Sequence, residues 1–144
     1  MPSFSKNSQT KLDTCHPFLM RLFYEVVKNY DCTIIYGHRT PEEQFKLYKK
    51  GRHQINGRWY IKDRSKVVTY RDGILKSSDH NCYPSLAVDV MPCPVDWKDI
   101  PRTKEFAAYV KGYAANMKIP VKWGGDWTRF KDYAHWYLPE DCRE

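Results

Sequence analysis

Two histidines and two carboxylates of this 144-residue chain have neighbourhoods that could do chemistry. His80 sits in the short polar loop Ser78-Asp79-His80-Asn81, and Asp89 interrupts the otherwise apolar run Leu86-Ala87-Val88-Asp89-Val90. A carboxylate inside a buried strand is costly unless a cation or hydrogen-bond donors satisfy it. Farther along, Asp132-Tyr133-Ala134-His135 puts a second carboxylate and a second histidine on one short segment. Residues three apart on a strand point to opposite faces, so for both to reach one centre Asp132 must lie in the loop before the strand. Two histidines and one aspartate would leave a zinc ion one open position for water, the arrangement of catalytic rather than structural sites. A buried polar network is the alternative that these residues alone leave open. The remaining histidines carry less: His16 lies in the first turn of a helix beside Pro17, His53 lies in a polar loop, and His38 adjoins Arg39 at a strand end with no partner at ligand spacing.

The elements that must position these residues are readable from periodicity and turn chemistry. Leu12, Phe18, Leu19, Leu22, Phe23, Val26 and Val27 recur at spacings of three and four, predicting one amphipathic helix capped by Asp13 or Thr14. The β-branched run Thr33–Tyr36 predicts a buried strand ended by Gly37. Thr40 followed by Pro41, Glu42 and Glu43 predicts a helix start, with the helix running to Gly51. From Arg52 to Lys76, turn signals at Asn56-Gly57 and Asp72-Gly73 around RWYIK and KVVTY predict a small hairpin or flap. Leu86–Val90 reads as a second buried strand stopped by Met91-Pro92-Cys93-Pro94, and residues 102–117 as a helix with Phe106, Tyr109, Val110 and Tyr113 on one face. Pro120–Trp123 and Tyr133–Leu138 read as two more strands. The expected class is α+β: one domain spanning 1–144, with helices packed on an antiparallel sheet.

Composition narrows the function classes. Hydrophobic residues make up 42% and aromatic residues 15%, enough to build a core and too much for a disordered chain. No apolar run reaches the length of a membrane span, and the polar opening MPSFSKNSQTKLD lacks the apolar segment of a secretory signal, so no stable membrane insertion and no signal peptide are expected. Five cysteines, Cys15, Cys32, Cys82, Cys93 and Cys142, are odd in number and lack CxxC pairing, which predicts interior thiols rather than a disulfide framework. A net charge of +7 attracts polyanions in general.

The stretch SDHNCYPSLAVDVMP resembles the Ser-x-His, Ala-x-Asp signature of the D-alanyl-D-alanine carboxypeptidase (VanY-like) superfamily of zinc peptidases, and WGGDWTRFKDYAHWYL resembles its second signature. The likeness is to the phage endolysin branch, the L-alanyl-D-glutamate endopeptidases, and Gly37-His38-Arg39-Thr40-Pro41-Glu42-Glu43-Gln44 resembles that family's arginine segment. Asp79 stands where the family commonly has a basic residue, and Cys82 lies in a lengthened loop. The resemblance implies a fold like that of the D-Ala-D-Ala peptidases and the hedgehog proteins. It implies one Zn2+ held by His80, Asp89 and His135, with Asp132 as the carboxylate that moves the proton and Arg39 as the cation facing the oxyanion. Ser78 and Gln44 would support these groups by hydrogen bonding. Trp123, Trp127 and Tyr133 flank the metal segment and either wall a substrate cleft or pack as core aromatics, with the 52–76 flap expected to select substrate.

The function so implied is hydrolysis of the L-Ala–D-Glu amide in the peptidoglycan stem peptide during phage lysis. The enzyme would wait in the host cytoplasm until a holin opens the membrane, then act on the wall in the periplasm as a monomer without a separate wall-binding module. A D-Ala-D-Ala carboxypeptidase would use the same zinc residues and is the alternative within the superfamily. A basic nucleic-acid-binding module is the alternative from another class, but the basic residues are spread along the chain and no DNA- or RNA-binding signature is present, so no nucleic-acid partner is expected.

Overall fold

The computed structural model describes residues 2–73 and 78–139. Two helices stand where the sequence suggests one. Helix α1, Lys6–Leu12, is capped by Ser5, and helix α2, Pro17–Val27, is capped by His16, whose Nδ1 accepts from the Phe18 amide at 3.0 Å. The cap expected at Asp13 or Thr14 is therefore corrected. Proline cannot continue a helix from the preceding turn and pushes the residue before it out of the helical region, so the break falls at His16.

Strand β1 is Cys32–Tyr36, and helix α3 is Pro41–Lys49, opened by Thr40 in a capping box with Glu43. The helix stops short of Gly51, which takes a left-handed φ of 80°. Strands β2, Arg52–Ile55, and β3, Arg58–Ile61, make a hairpin turned by Asn56 and Gly57, both at positive φ. KVVTY forms no strand: Lys66 ends the 3-10 turn Arg64–Lys66, and the residues after it run on irregularly. The far end of the expected flap, up to Lys76, lies outside the described residues from position 74.

Strand β4 is Ala87–Pro92, buried along its whole length; it runs through Met91 to Pro92 rather than stopping before them, with proline as its last residue. Helix α4 spans Ile100–Met117, two residues longer at its start than expected because Asp99 caps it. Strands β5, Lys122–Trp123, and β6, His135–Tyr137, complete a four-stranded antiparallel sheet in the order β1-β4-β6-β5. The architecture is the expected α+β one. No helix among the described residues is long and apolar enough to cross a membrane.

The alternation of side chains across the sheet separates core from site. Val88 faces Trp136 across β4 and β6, and both join Leu12, Phe23, Val26, Phe106 and Val110 in the core that α1, α2 and α4 close. One residue along, Asp89 faces His135 on the opposite side of the sheet. A register shift between Ile34 and Tyr36 aligns Tyr36 with Asp89, so the end of β1 delivers the Gly37-His38-Arg39 turn to that same side. Cys15 and Cys32 are buried thiols and Cys82 and Cys93 are partly buried, none of them in a disulfide; Cys142 lies outside the described residues.

Candidate metal centre

Three buried side chains converge above the sheet. His80 Nε2 lies 3.3 Å from His135 Nδ1 and 3.3 Å from Asp89 Oδ1, and His135 Nδ1 lies 3.2 Å from the same carboxylate oxygen. The three ligand atoms thus form a nearly equilateral triangle. Four donors set tetrahedrally around zinc at roughly 2.0–2.1 Å stand about 3.3–3.4 Å apart, so the triangle has the size of one face of that tetrahedron.

The tautomer of His80 sharpens the fit. Its Nδ1 is 2.8 Å from the Gly37 carbonyl, which can only accept, so Nδ1 carries the proton and Nε2 presents a lone pair. A lone pair 3.3 Å from a carboxylate oxygen is repulsive unless a cation or a shared proton lies between them. The donor set therefore suits a zinc-like cation, and His80, Asp89 and His135 are the residues that would hold it.

Local chemistry fixes each of these residues. Ser78 caps the 3-10 turn Asp79–Asn81, accepting from the His80 amide at 3.2 Å, while Asn81 reaches back to the Ser78 amide and donates to the Arg39 carbonyl. Gly37 sits so close to the α1 end that a Cβ there would collide with the Lys11 carbonyl oxygen. Gly124 is pressed in the same way, its missing Cβ lying 2.5 Å from the Asp132 carbonyl oxygen and 3.1 Å from His135 Cβ.

Arg39 is 6% exposed and lies beneath the triad. Its Nη2 is 3.4 Å from Asp89 Oδ2, its Nη1 donates to Gln44 Oε1 at 2.7 Å, and its guanidinium carbon rests 4.4 Å over the Tyr36 ring. Its Nε is buried without a partner. Gln44, fully buried, hands its own amide to Thr69 Oγ1 and the Arg71 carbonyl, joining Arg39 to the segment after the hairpin.

Asp132 precedes β6, in the loop position that the spacing requires. Burial pushes its carboxyl above the ordinary carboxylate range, and the negative charge of Asp89 pushes it the same way. Asp89 goes in the opposite direction. Burial alone would raise it, but the two histidines packed against it, His80 foremost, hold it well below the usual range. Two neighbouring carboxyls are thus driven apart, one kept anionic and one made a better proton carrier.

A cleft of about 620 Å³ opens over this centre, lined by His80, Asp89, Asp132 and His135 at its floor and by Val68–Arg71 on the hairpin side. Trp127 lines it, its ring 5.2 Å from that of His135. Trp123 and Tyr133 do not line this cleft. Trp123 is buried against Trp136 at 5.8 Å and donates to the Tyr133 carbonyl, because β5 pairs with β6 and turns that indole toward the core. Sequence reasoning did not single out Tyr36, Asn81, Trp97, Arg129 and Phe130. Asn81 had a local signal, its place three residues after a capping serine, while the others come together only through contacts distant in sequence. His38 stays apart from the centre, with Nδ1 2.9 Å from the Cys82 carbonyl oxygen.

A model of the family described as phage L-alanyl-D-glutamate peptidase matches residues 2–137. Peptidoglycan L-alanyl-D-glutamate endopeptidase CwlK of Bacillus subtilis is 32% identical over 115 residues, covering 75% of this chain and 60% of CwlK, so the chain spans about three fifths of that relative's length. The crystal structure of Serratia marcescens L-Ala D-Glu endopeptidase ChiX shares the fold, with a TM-score of 0.68 at 23% identity over 96% of this chain and 91% of that one. The family match runs through β1, the His80 turn, β4 and β6 alike, and the chain belongs to the phage L-alanyl-D-glutamate peptidase family.

Proposed function

We propose that the protein is a zinc-dependent peptidoglycan endopeptidase that hydrolyses the L-Ala–D-Glu amide of the stem peptide. The observation that carries this reading is the triangle of His80 Nε2, Asp89 Oδ1 and His135 Nδ1, with the raised carboxyl of Asp132 beside it. Family membership and the names of CwlK and ChiX support the bond chosen. A zinc ion held by the three residues would supply Lewis acidity, polarising the scissile carbonyl and acidifying the attacking water.

The chain's own groups supply the rest. An Asp132 carboxylate oxygen takes the proton from the attacking water, then delivers it to the amide nitrogen as the carbon–nitrogen bond breaks. Arg39 presents a permanent positive charge toward the negative charge that develops on the carbonyl oxygen. Asp89 and Gln44 hold that guanidinium from either side. Trp127 walls the cleft and lowers its exposure to water.

The phage designation of the family supports a role in host lysis. In that role the protein waits in the host cytoplasm, reaches the periplasm once a holin opens the membrane, and acts as a monomer on the wall. Digestion of purified peptidoglycan, with mass spectrometry of the fragments and labelling of new amino termini, tests the bond. New D-Glu amino termini are expected. Release of free D-Ala alone would replace the endopeptidase with a carboxypeptidase.

A further inference from the structure

We infer that Arg129 forms a carboxylate subsite on the leaving-group side of the cleft, giving the enzyme a preference for substrates whose released nitrogen sits next to a free carboxylate. The inference deepens the endopeptidase reading and rests on it. Five cations line the cleft, Arg39, Lys50, Arg71, Arg129 and Lys131, against the two carboxylates Asp89 and Asp132 at its floor. Arg39 is committed to Asp89 and Gln44, and Lys131 Nζ donates to the carbonyls of Trp127 and Gly125. Arg71 already has partners of its own. Arg129 is exposed at the cleft and, among the described residues, makes no hydrogen bond or ion pair. Lys50 is also exposed, but it stands at the end of α3, away from the Asp132 loop in sequence.

Position selects between those two. Arg129 lies three residues before Asp132 on one loop, and the intervening Phe130 takes a left-handed φ of 47°. Asp132 is the group that returns a proton to the departing nitrogen, so its loop borders the leaving half of the substrate. In a stem peptide that half begins with D-Glu, joined onward through its side-chain carboxyl. Its α-carboxylate is therefore free and only two bonds from the released nitrogen. A guanidinium suits that anion because it offers paired donors and stays charged at any working pH.

The test uses two synthetic muropeptides that differ only in this group, D-Glu with its α-carboxylate in one and the α-carboxamide D-isoglutamine in the other. The wild-type protein should show kcat/KM roughly tenfold higher on the carboxylate, as a partly solvated charge-assisted pair would give. Arg129→Ala should bring that ratio close to one, mainly through KM on the D-Glu substrate, and Arg129→Lys should restore part of it. Lys50→Ala should keep the ratio. Equal wild-type rates on both substrates, or an unchanged ratio in Arg129→Ala, would overturn the subsite while leaving the peptidase intact. Cleavage of neither substrate would remove the endopeptidase reading and the subsite with it.

Discussion

Arg39 Nη1 and Gln44 Oε1 meet at 2.7 Å with both side chains out of solvent, and the other end of Gln44 is bonded to Thr69 and Arg71. One buried amide thus links the arginine under the triad to the rim of the cleft. Gln44→Ala leaves an Arg39 guanidinium donor without its acceptor, which should cost about 1–3 kcal/mol of stability and slow hydrolysis. Denaturant unfolding beside a peptide-cleavage assay checks both. Wild-type stability and rate together would show that the link carries nothing.

Arg39→Lys keeps the charge but loses the fork that spans Asp89 and Gln44. The rate should fall about a hundredfold, the loss typical of a misplaced oxyanion partner. A kcat within a few-fold of wild type would take Arg39 out of the mechanism.

Gly37→Ala reaches the centre indirectly. Its new methyl would press on the Lys11 carbonyl and Thr14 Oγ1 at the end of α1. The backbone must shift, and the Gly37 carbonyl that holds His80 Nδ1 shifts with it. Metal affinity should drop roughly 10–100-fold, as for other losses of a group that orients a ligand. Zinc titration by calorimetry measures it, and an unchanged affinity would mean that the carbonyl does not set the histidine.

The two kinds of acidic residue should separate experimentally. Asp89→Ala removes one of the three residues proposed to hold zinc, so zinc content and the zinc-dependent rise in melting temperature should both vanish; that rise corresponds to about 2.7 kcal/mol at a hundredfold excess over Kd. Asp132→Asn should keep the zinc and lose about 10²–10⁴ in kcat. Near-normal turnover in Asp132→Asn would assign the proton transfer elsewhere.

The floor of the cleft is legible in the sequence because its signals are local. Asp89 stands out as a lone charge in an apolar strand, and the three-residue step from Asp132 to His135 places one in a loop and the other on β6. The helix break at His16 is also local, since Pro17 marks it, but the apolar periodicity that runs across it masks that sign. Other features depend on contacts distant in sequence. Trp123 and Trp127 look alike along the chain, and only the pairing of β5 with β6 sends the first to the core and leaves the second at the cleft. Likewise KVVTY has strand composition, yet Lys66 ends a 3-10 turn and Val68, Thr69 and Tyr70 line the cleft instead. Tyr70 and Phe130 meet at 4.8 Å although 60 positions separate them, a contact no periodicity announces.

The proposed cleavage depends on one zinc ion held by His80, Asp89 and His135. Its most direct measurement is stem-peptide hydrolysis by chelator-stripped protein during stepwise return of zinc, with bound metal counted at each step. Activity should be absent at the start and rise linearly to a plateau at one ion per chain, and Asp89→Ala should show neither binding nor recovery. Full cleavage by the metal-free protein, or recovery in Asp89→Ala equal to wild type, would rule out a zinc ion at these three residues as the centre of the reaction.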